Sequence, residues 1–175
     1  MKTALLALAL VVLVPFAVIA DSSLVRFKGG IGVDPVSGIA LGPPVSPVSN
    51  VVCGVDPGGL PWRISRLHAN VLTDGHITVE GRGLLLAGGN ATFKNAIGTN
   101  GGQSVRAKLF CNTTSSSCGT GSLTSAAGVA LDPKGDFKID DTLTPLPPVS
   151  CTKPVLLIVN KANTRWFAAG IPAGE

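Results

Sequence analysis

The chain has 175 residues, with 14 lysines and arginines against 10 acidic residues and a formal net charge of +4. A nucleic-acid binder would normally concentrate much more positive charge, so nucleic acid is not an expected partner. Aromatic residues make up 5% of the chain and tyrosine is absent, which leaves little material for stacking on sugars or single strands. Abundant glycine and proline, together with many β-branched residues, favour strands and turns.

The N-terminal segment indicates the compartment. Lys2 is followed by an apolar run that ends at Ala20 and is interrupted by Pro15. A basic start, a short apolar stretch and a small final residue predict a signal peptide over residues 1–20, cleaved after Ala20. The alternative is a membrane anchor, which usually needs about 20 apolar residues without a helix breaker. No later run is long enough to cross a membrane, so we expect a secreted, extracellular or periplasmic protein that does not span one.

Four cysteines in an exported chain are expected to form disulfides. Cys111 ends an alternating run and Cys151 opens another strand-like run, so both are expected near the core and paired with each other. Cys53 and Cys118, two loop residues, then form the second bridge. The rival pairing joins Cys111 to Cys118 and Cys53 to Cys151. A zinc site is the functional alternative, but the wide spacing and the lack of a Cys-x-x-Cys pair speak against it. We expect no metal or other cofactor.

Residues 21–61 are predicted to form an extended, turn-rich segment that packs on a domain formed by residues 62–175. Residues 24–28 are a candidate first strand, and residues 51–54 a candidate short edge strand. The glycine and proline pairs between them are incompatible with a long regular element.

The clearest element is a hairpin within residues 62–86, where apolar and polar residues alternate on both sides of Thr73-Asp74-Gly75. A two-residue Asp-Gly turn would place apolar side chains opposite polar ones. A three-residue loop, with Gly75 in the left-handed conformation, pairs Val71 with Ile77 and leaves one continuous apolar face. We therefore predict the second register.

That register places His68 opposite Glu80 and Arg66 opposite Arg82 on the outer face of the hairpin. His68 and His76 share this face, but they lie about four residues apart along it, roughly 13 Å at normal strand rise. The two histidines therefore cannot bind one metal together.

After a long polar loop over residues 87–102, residues 104–111 form a third alternating strand, on which Arg106 and Lys108 face outward. A second polar loop, residues 112–120, carries Cys118. Asn90 and Asn112 each begin an Asn-x-Thr glycosylation sequon in these loops, which matters only where exported chains are glycosylated.

Two further strand-like runs, residues 122–131 and 137–143, flank the turn signal Asp132-Pro133-Lys134-Gly135. We predict that they form a second hairpin. Asp141 falls on the inner face of the second run, which is unusual for a carboxylate. We expect the strand to end at Asp140; the alternative is that Asp141 caps an end of the sandwich.

Residues 154–159 form a continuous apolar run typical of a buried central strand. Residues 164–169 make the last strand, with Trp166 or Phe167 in the core. Short strands separated by turn signals, without helical periodicity, predict an all-β protein: a single antiparallel β-sandwich of about 7–8 strands, stabilised by disulfides.

Motifs for catalysis are missing: the sequence has no His-Glu-x-x-His, no Walker loop and no Gly-x-Ser-x-Gly. We assign no catalytic residue. His68 and Glu80 have the spacing of a base and its orienting acid, but Ser65 and Ser104 are expected to face elsewhere or lie far away. A secreted hydrolase using His68 and Glu80 is therefore an alternative function, not the favoured one.

The most specific surface feature is charge. If the third strand joins the same sheet as the hairpin, four cations line one exposed face: Arg66, Arg82, Arg106 and Lys108. Like charges on neighbouring strands destabilise slightly, so such a surface requires solvent or an anionic partner. We expect a non-enzymatic binding protein whose partner is an acidic envelope polymer or an acidic protein patch. Its candidate surface is this cationic face or, alternatively, the long polar loop over residues 87–102. A structural surface protein without a small ligand is the other alternative, and an exposed apolar edge would favour it.

Five runs of sequence carry a resemblance that spans most of the chain after the signal. They are Phe27–Ser37, Gly58–Trp62, Gly81–Asn90, Ser104–Cys111 and Pro154–Val159. Together they resemble a group of small exported bacterial proteins to which no activity is assigned. The resemblance implies an exported bacterial protein of one domain, and it transfers no activity and no functional residue.

Overall fold

The computed structural model describes residues 23–89, 92–125 and 127–174. The predicted signal peptide and the sequon residue Asn90 lie outside these ranges. The described residues form strands, turns and one short 3-10 helix, Lys94–Ala96. None of their helices is long and apolar enough to cross a membrane.

The described chain contains fourteen strands, many of them short. They are β1 (Ser23–Gly32), β2 (Val36–Ala40), β3 (Ser46–Ser49), β4 (Asp56–Pro57), β5 (Trp62–Arg63), β6 (Arg66–Leu72), β7 (His76–Arg82), β8 (Leu85–Leu86), β9 (Ser104–Phe110), β10 (Ser122–Leu123), β11 (Val129–Ala130), β12 (Phe137–Thr142), β13 (Val155–Asn160) and β14 (Arg165–Pro172).

One large sheet dominates the fold, with strand order β10-β9-β13-β14-β1-β6-β7-β12. β11 also pairs with β9, and β4 adds a short parallel pairing to β14. Leu123 and Thr144 exchange two backbone hydrogen bonds of 2.9 Å, so the sheet curls until its two ends meet. The predicted all-β, antiparallel, disulfide-bonded fold is confirmed, with the two layers supplied by one curled sheet around a single apolar core.

The core follows from alternation along the strands. Leu67, Val71, Ile77 and Val79 are fully buried on the inner face of the β6–β7 hairpin. Burial of side chains of this size contributes about 1.5–3 kcal/mol each. The predicted register is confirmed, with Val71 opposite Ile77, and Gly75 adopts a left-handed φ of 85° in the three-residue loop.

The predicted central strand is confirmed as β13, which lies between β9 and β14. In β14, Trp166 and Phe167 are both buried, and the pairing with β13 shifts register at Phe167, which interrupts the regular alternation of faces. β4 pairs alongside Trp166, whose indole N–H donates to the Asn50 carbonyl at 3.0 Å. Phe167 stacks on Trp62 with ring centroids 4.3 Å apart.

The N-terminal segment contributes directly to the main sheet. β1 contains the predicted first strand and lies between β14 and β6, as an interior strand. β2 and β3 form a separate two-stranded sheet, and β5 and β8 form another.

The predicted second hairpin is wrong. The Asp132–Gly135 turn does form, since the Gly135 N–H donates to the Asp132 carbonyl at 2.9 Å. The strands on its two sides then diverge: β11 pairs with β9, and β12 pairs with β7. β9 and β7 lie near opposite ends of the sheet. Each flanking strand therefore adds its backbone hydrogen bonds to a different end of the sheet, where the sheet closes.

Both predicted disulfides are present. Cys53–Cys118 has a Cα–Cα distance of 5.2 Å, and Cys111–Cys151 has one of 4.7 Å. The first joins the N-terminal segment to the second polar loop. The second joins the end of β9 to the residues that precede its partner strand β13.

Candidate anion-binding face

The β6–β7 hairpin places its polar side chains on the outside of the sheet. Arg66 lies directly opposite Arg82, and His68 lies directly opposite Glu80, as predicted. All four side chains are exposed, because the residues that alternate with them face the core. The hairpin therefore presents two cross-strand pairs of charged and titratable side chains to solvent.

The strands on either side of the hairpin extend the His68–Glu80 pair into a longer row. On β1, Lys28 lies opposite His68, and on β12, Lys138 lies opposite Glu80. One continuous row thus crosses four strands in the order Lys28, His68, Glu80, Lys138. The Lys138 ammonium nitrogen is 3.7 Å from a Glu80 carboxylate oxygen, an exposed ion pair of small energetic value.

The next row continues the same outward surface. Arg26 on β1 lies opposite Asn70, and Asp140 on β12 lies opposite Thr78. Asp140 also approaches His76, with 3.2 Å between a carboxylate oxygen and the imidazole Nε2. We call the outer surface of β1, β6, β7 and β12 the basic face, after its five cations: Arg26, Lys28, Arg66, Arg82 and Lys138.

The outer surface of the four strands has two carboxylates, Glu80 and Asp140, while the third carboxylate, Asp141, lies opposite the buried Ile77. Glu80 and Asp140 each already have a partner on the same surface. Neither Arg66 nor Arg82 forms an ion pair with a carboxylate of the described residues. The basic face therefore keeps an excess of positive charge where Arg66 and Arg82 face each other, at the end of the hairpin away from its loop.

Two shallow grooves run along this surface. A groove of about 320 Å³ lies over the row of Lys28, His68, Glu80 and Lys138. Most of its lining residues are charged or polar, including Asn70 of the next row. A larger groove of about 730 Å³ shares Arg26 and Lys28 with it and continues past Lys153. The two grooves therefore meet at Arg26 and Lys28, and neither is an enclosed pocket.

The other two predicted cations lie elsewhere. Arg106 and Lys108 do face outward on β9, but β13, β14 and β1 separate β9 from β6 in the sheet. The four predicted residues therefore do not form one cluster, and only Arg66 and Arg82 belong to the basic face.

Local contacts occupy these two side chains. The Arg106 guanidinium donates to the Thr124 carbonyl, with its Nε at 3.0 Å. The Lys108 ammonium lies 5.2 Å from the centre of the Phe110 ring. Burial is the main cause that lowers the pKa of each group, followed for Lys108 by repulsion from Arg106. Both cations thus have partners on their own part of the sheet, away from the β6–β7 hairpin.

Asp141 also has a structural role. The expectation that the strand ends at Asp140 is wrong, because β12 continues to Thr142. The Asp141 carboxylate accepts hydrogen bonds of 2.7 Å from the N–H groups of Ser125 and Thr142. Burial acts to raise the pKa of Asp141, but these hydrogen bonds and the nearby Arg106 outweigh it and hold that pKa below its usual range. This arrangement matches the alternative in which Asp141 caps an end of the sandwich.

The groove over His68 and Glu80 does not have the composition of a hydrolytic site. Its lining residues include no serine or cysteine. Ser65 instead uses its N–H to bond the Arg82 carbonyl at the end of the hairpin, and Ser104 lies on β9. Among the described residues, no group of three or more histidine, cysteine or acidic side chains is placed to hold a metal ion.

Sequence reasoning missed three cations of the basic face: Arg26, Lys28 and Lys138. The alternation Val25-Arg26-Phe27-Lys28 is a signal that these two cations face outward from a strand. It does not indicate that this strand lies beside β6. Lys138 was missed because β12 was expected to pair with the wrong strand.

Comparison with known proteins adds no relative: no protein-family model, no curated protein and no solved structure matches the chain.

Proposed function

We propose that the protein is an exported, non-enzymatic binding protein whose basic face holds an acidic polymer of the cell envelope. Export follows from the predicted signal peptide cleaved after Ala20, and the two disulfides suit an oxidising compartment. The observation that carries the proposal is the row Lys28, His68, Glu80 and Lys138, set between Arg26 and the Arg66–Arg82 pair.

The shape of the surface favours a polymer over a folded acidic protein. Protein partners usually anchor in well-packed pockets through aromatic and apolar side chains. The groove over the row is instead open, most of its lining residues are charged or polar, and it shares Arg26 and Lys28 with a second groove. A hydrated chain with carboxylate or phosphate groups at intervals can lie along such a surface and meet successive cations. Attraction of this kind acts over the whole surface and weakens with salt.

The test is binding of the exported protein to soluble polymers of known charge. Polygalacturonate supplies carboxylates, polyphosphate supplies phosphates, and dextran is the neutral control. We expect binding to one or both anionic polymers, weakening as salt is added, and none to dextran. The double variant Arg66→Glu/Arg82→Glu should weaken binding at least tenfold.

The matched control reverses two exposed lysines away from the basic face, Lys94→Glu and Lys161→Glu, with the same change in net charge. It should retain most of the affinity. Equal losses in both double variants would show that only net charge matters, and would contradict a specific face. Unchanged binding by Arg66→Glu/Arg82→Glu would contradict it as well.

A further inference from the structure

The hairpin of β2 and β3 projects away from the main sheet. Every residue in both strands is exposed, and the pair forms a sheet of its own. Its base is anchored: the Asn50 side-chain amide donates to the Asp34 carbonyl at 2.8 Å, and the Asn50 carbonyl accepts from the buried Trp166 at 3.0 Å. We call residues 35–49 the arm.

The arm has an unusual surface for a protruding hairpin. Residues 35–55 contain no acidic residue, no lysine, no arginine and no histidine. Its exposed apolar side chains include Leu41 at 93%, Val45 at 66% and Ile39 at 64% exposure. An isolated two-stranded hairpin is marginally stable in water, and exposed apolar patches mark contact surfaces. The arm thus has the composition of a surface that another strand covers.

The two edges of the arm differ. β3 contains Pro47, which lacks an N–H and blocks regular pairing on an edge. β2 has neither a proline nor a charge, and no strand of the described residues pairs with its outer edge. Natural edge strands are usually protected by charge, proline or a covering segment. The outer edge of β2 is therefore open to strand addition.

We propose that this edge binds the β2 edge of a second copy, so that two chains form a four-stranded sheet across a two-fold axis. The two strands run antiparallel, and only one register overlaps all five residues of Val36–Ala40. In it, Gly38 faces Gly38 of the second copy, and Val36 faces Ala40. The interface is isologous, so one surface patch suffices for both partners.

The partner strand must itself offer an uncharged and unprotected edge, and the β2 edge of a second copy is such an edge. Two identical chains that meet through their basic faces would bring like charges together, whereas the arm lets them meet without any charge. A lipid bilayer is the poorer match, because interfacial anchors are rich in tryptophan, lysine and arginine, and the arm has none. The dimer does not depend on the polymer-binding proposal, and it would double the basic faces available to one polymer chain.

Sedimentation of the exported protein is the first test. We expect the wild type to dimerise at micromolar concentration and Ile39→Lys to weaken the dimer at least tenfold. Ile31→Lys is the matched control, because Ile31 is 61% exposed but lies on β1 of the main sheet. A monomeric wild type would overturn the proposal, and so would equal weakening by both variants. A monomer that sediments with neutral phosphatidylcholine vesicles would assign the arm to lipid instead.

Cross-linking tests the register. A side chain added at Gly38 meets no atom within 4 Å, and the same holds at Gly42 near the tip of the arm. In the proposed dimer, Gly38→Cys places two thiols directly opposite each other, while Gly42→Cys separates them to the two ends of the new sheet. We expect a disulfide-linked dimer from Gly38→Cys alone. Cross-linking by Gly42→Cys to the same extent would contradict this register.

Discussion

The Asp141 carboxylate accepts a hydrogen bond of 2.7 Å from the Ser125 N–H and so ties β12 to the residues that follow β10. Nearby, Leu123 and Thr144 form the bridge that closes the curled sheet. Arg106 lies close enough to favour the charged carboxylate and itself donates to the Thr124 carbonyl. A charged side chain that is unexpected on an inner-facing position therefore helps to hold the two ends of the sheet together.

The first prediction concerns pH. Because the pKa of Asp141 is held below its usual range in the folded protein, the carboxylate stabilises the fold above the ordinary aspartate pKa of about 3.9. This contribution is lost as the pH falls through the lowered folded value. Asp141→Asn should cost about 1–2 kcal/mol in free energy of unfolding at pH 7, and much less in strong acid. Urea unfolding at both pH values measures the difference.

Asp140→Asn is the matched control, since Asp140 is exposed and, among the described residues, its ion-pair partner is His76 on β7. It should change the free energy of unfolding by a few tenths of a kcal/mol. If Asp141→Asn lowers the free energy of unfolding as much in acid as at neutral pH, the charge of Asp141 does not stabilise the closure of the sheet.

The second prediction concerns the facing arginines. Arg66→Glu replaces a like-charge pair by an opposite-charge pair with Arg82, so it should stabilise the fold by about 0.5 kcal/mol at low salt. The gain should shrink as salt is added. The same variant should bind an anionic polymer less well. Arg63→Glu is the control, because Leu85 rather than a cation lies opposite Arg63. An equal gain from both variants would show that the arginine pair has no specific effect.

The third prediction concerns a packing constraint in β7. A side chain added at Gly81 would overlap the ring of Phe137 on the neighbouring strand β12. Gly81→Ala should therefore lower the free energy of unfolding by about 1–3 kcal/mol. Gly38→Ala, where the same added group meets open space, should be nearly neutral. A smaller residue at 137, in Gly81→Ala/Phe137→Leu, should recover part of the loss in thermal unfolding; no recovery would point to backbone strain instead.

The fourth prediction separates the two disulfides. Cys53–Cys118 closes a sequence separation of 65 and holds a polar loop, while Cys111–Cys151 joins ends of two strands that already pair. Replacing either pair by alanine should cost on the order of 2–5 kcal/mol. Only loss of Cys53–Cys118 should increase amide exchange across residues 113–120 while β9 and β13 stay protected. Increased exchange in β9 and β13 after loss of Cys53–Cys118 would contradict the claim that this disulfide holds only the polar loop.

Local sequence determines the part of the fold that could be predicted best. The loop Thr73-Asp74-Gly75 and the alternation around it fix the β6–β7 register, because only one pairing leaves an apolar face. The same logic failed at Asp132–Gly135, where an equally strong turn forms but the flanking strands pair elsewhere. Turn chemistry predicts a reversal of the chain; it does not predict which open edge each strand then meets.

The candidate site shows the same limit. The facing of Arg66 and Arg82 is a property of one hairpin and was predictable. The contribution of Lys28 and Lys138 depends on pairings between strands far apart in sequence, which alternation alone does not determine. The arm was unpredictable for a different reason, since its glycines and prolines indicated turns and hid two short strands.

The central claim is that the polymer binds on β1, β6, β7 and β12, and amide chemical shifts test it most directly. The isotope-labelled exported protein would be titrated with a short oligogalacturonate. The account predicts that the largest shifts fall at Lys28, His68, Glu80 and Lys138 and their neighbours, and that β9 and β13 change little. Shifts concentrated around Arg106 and Lys108, or none on the basic face, would contradict it.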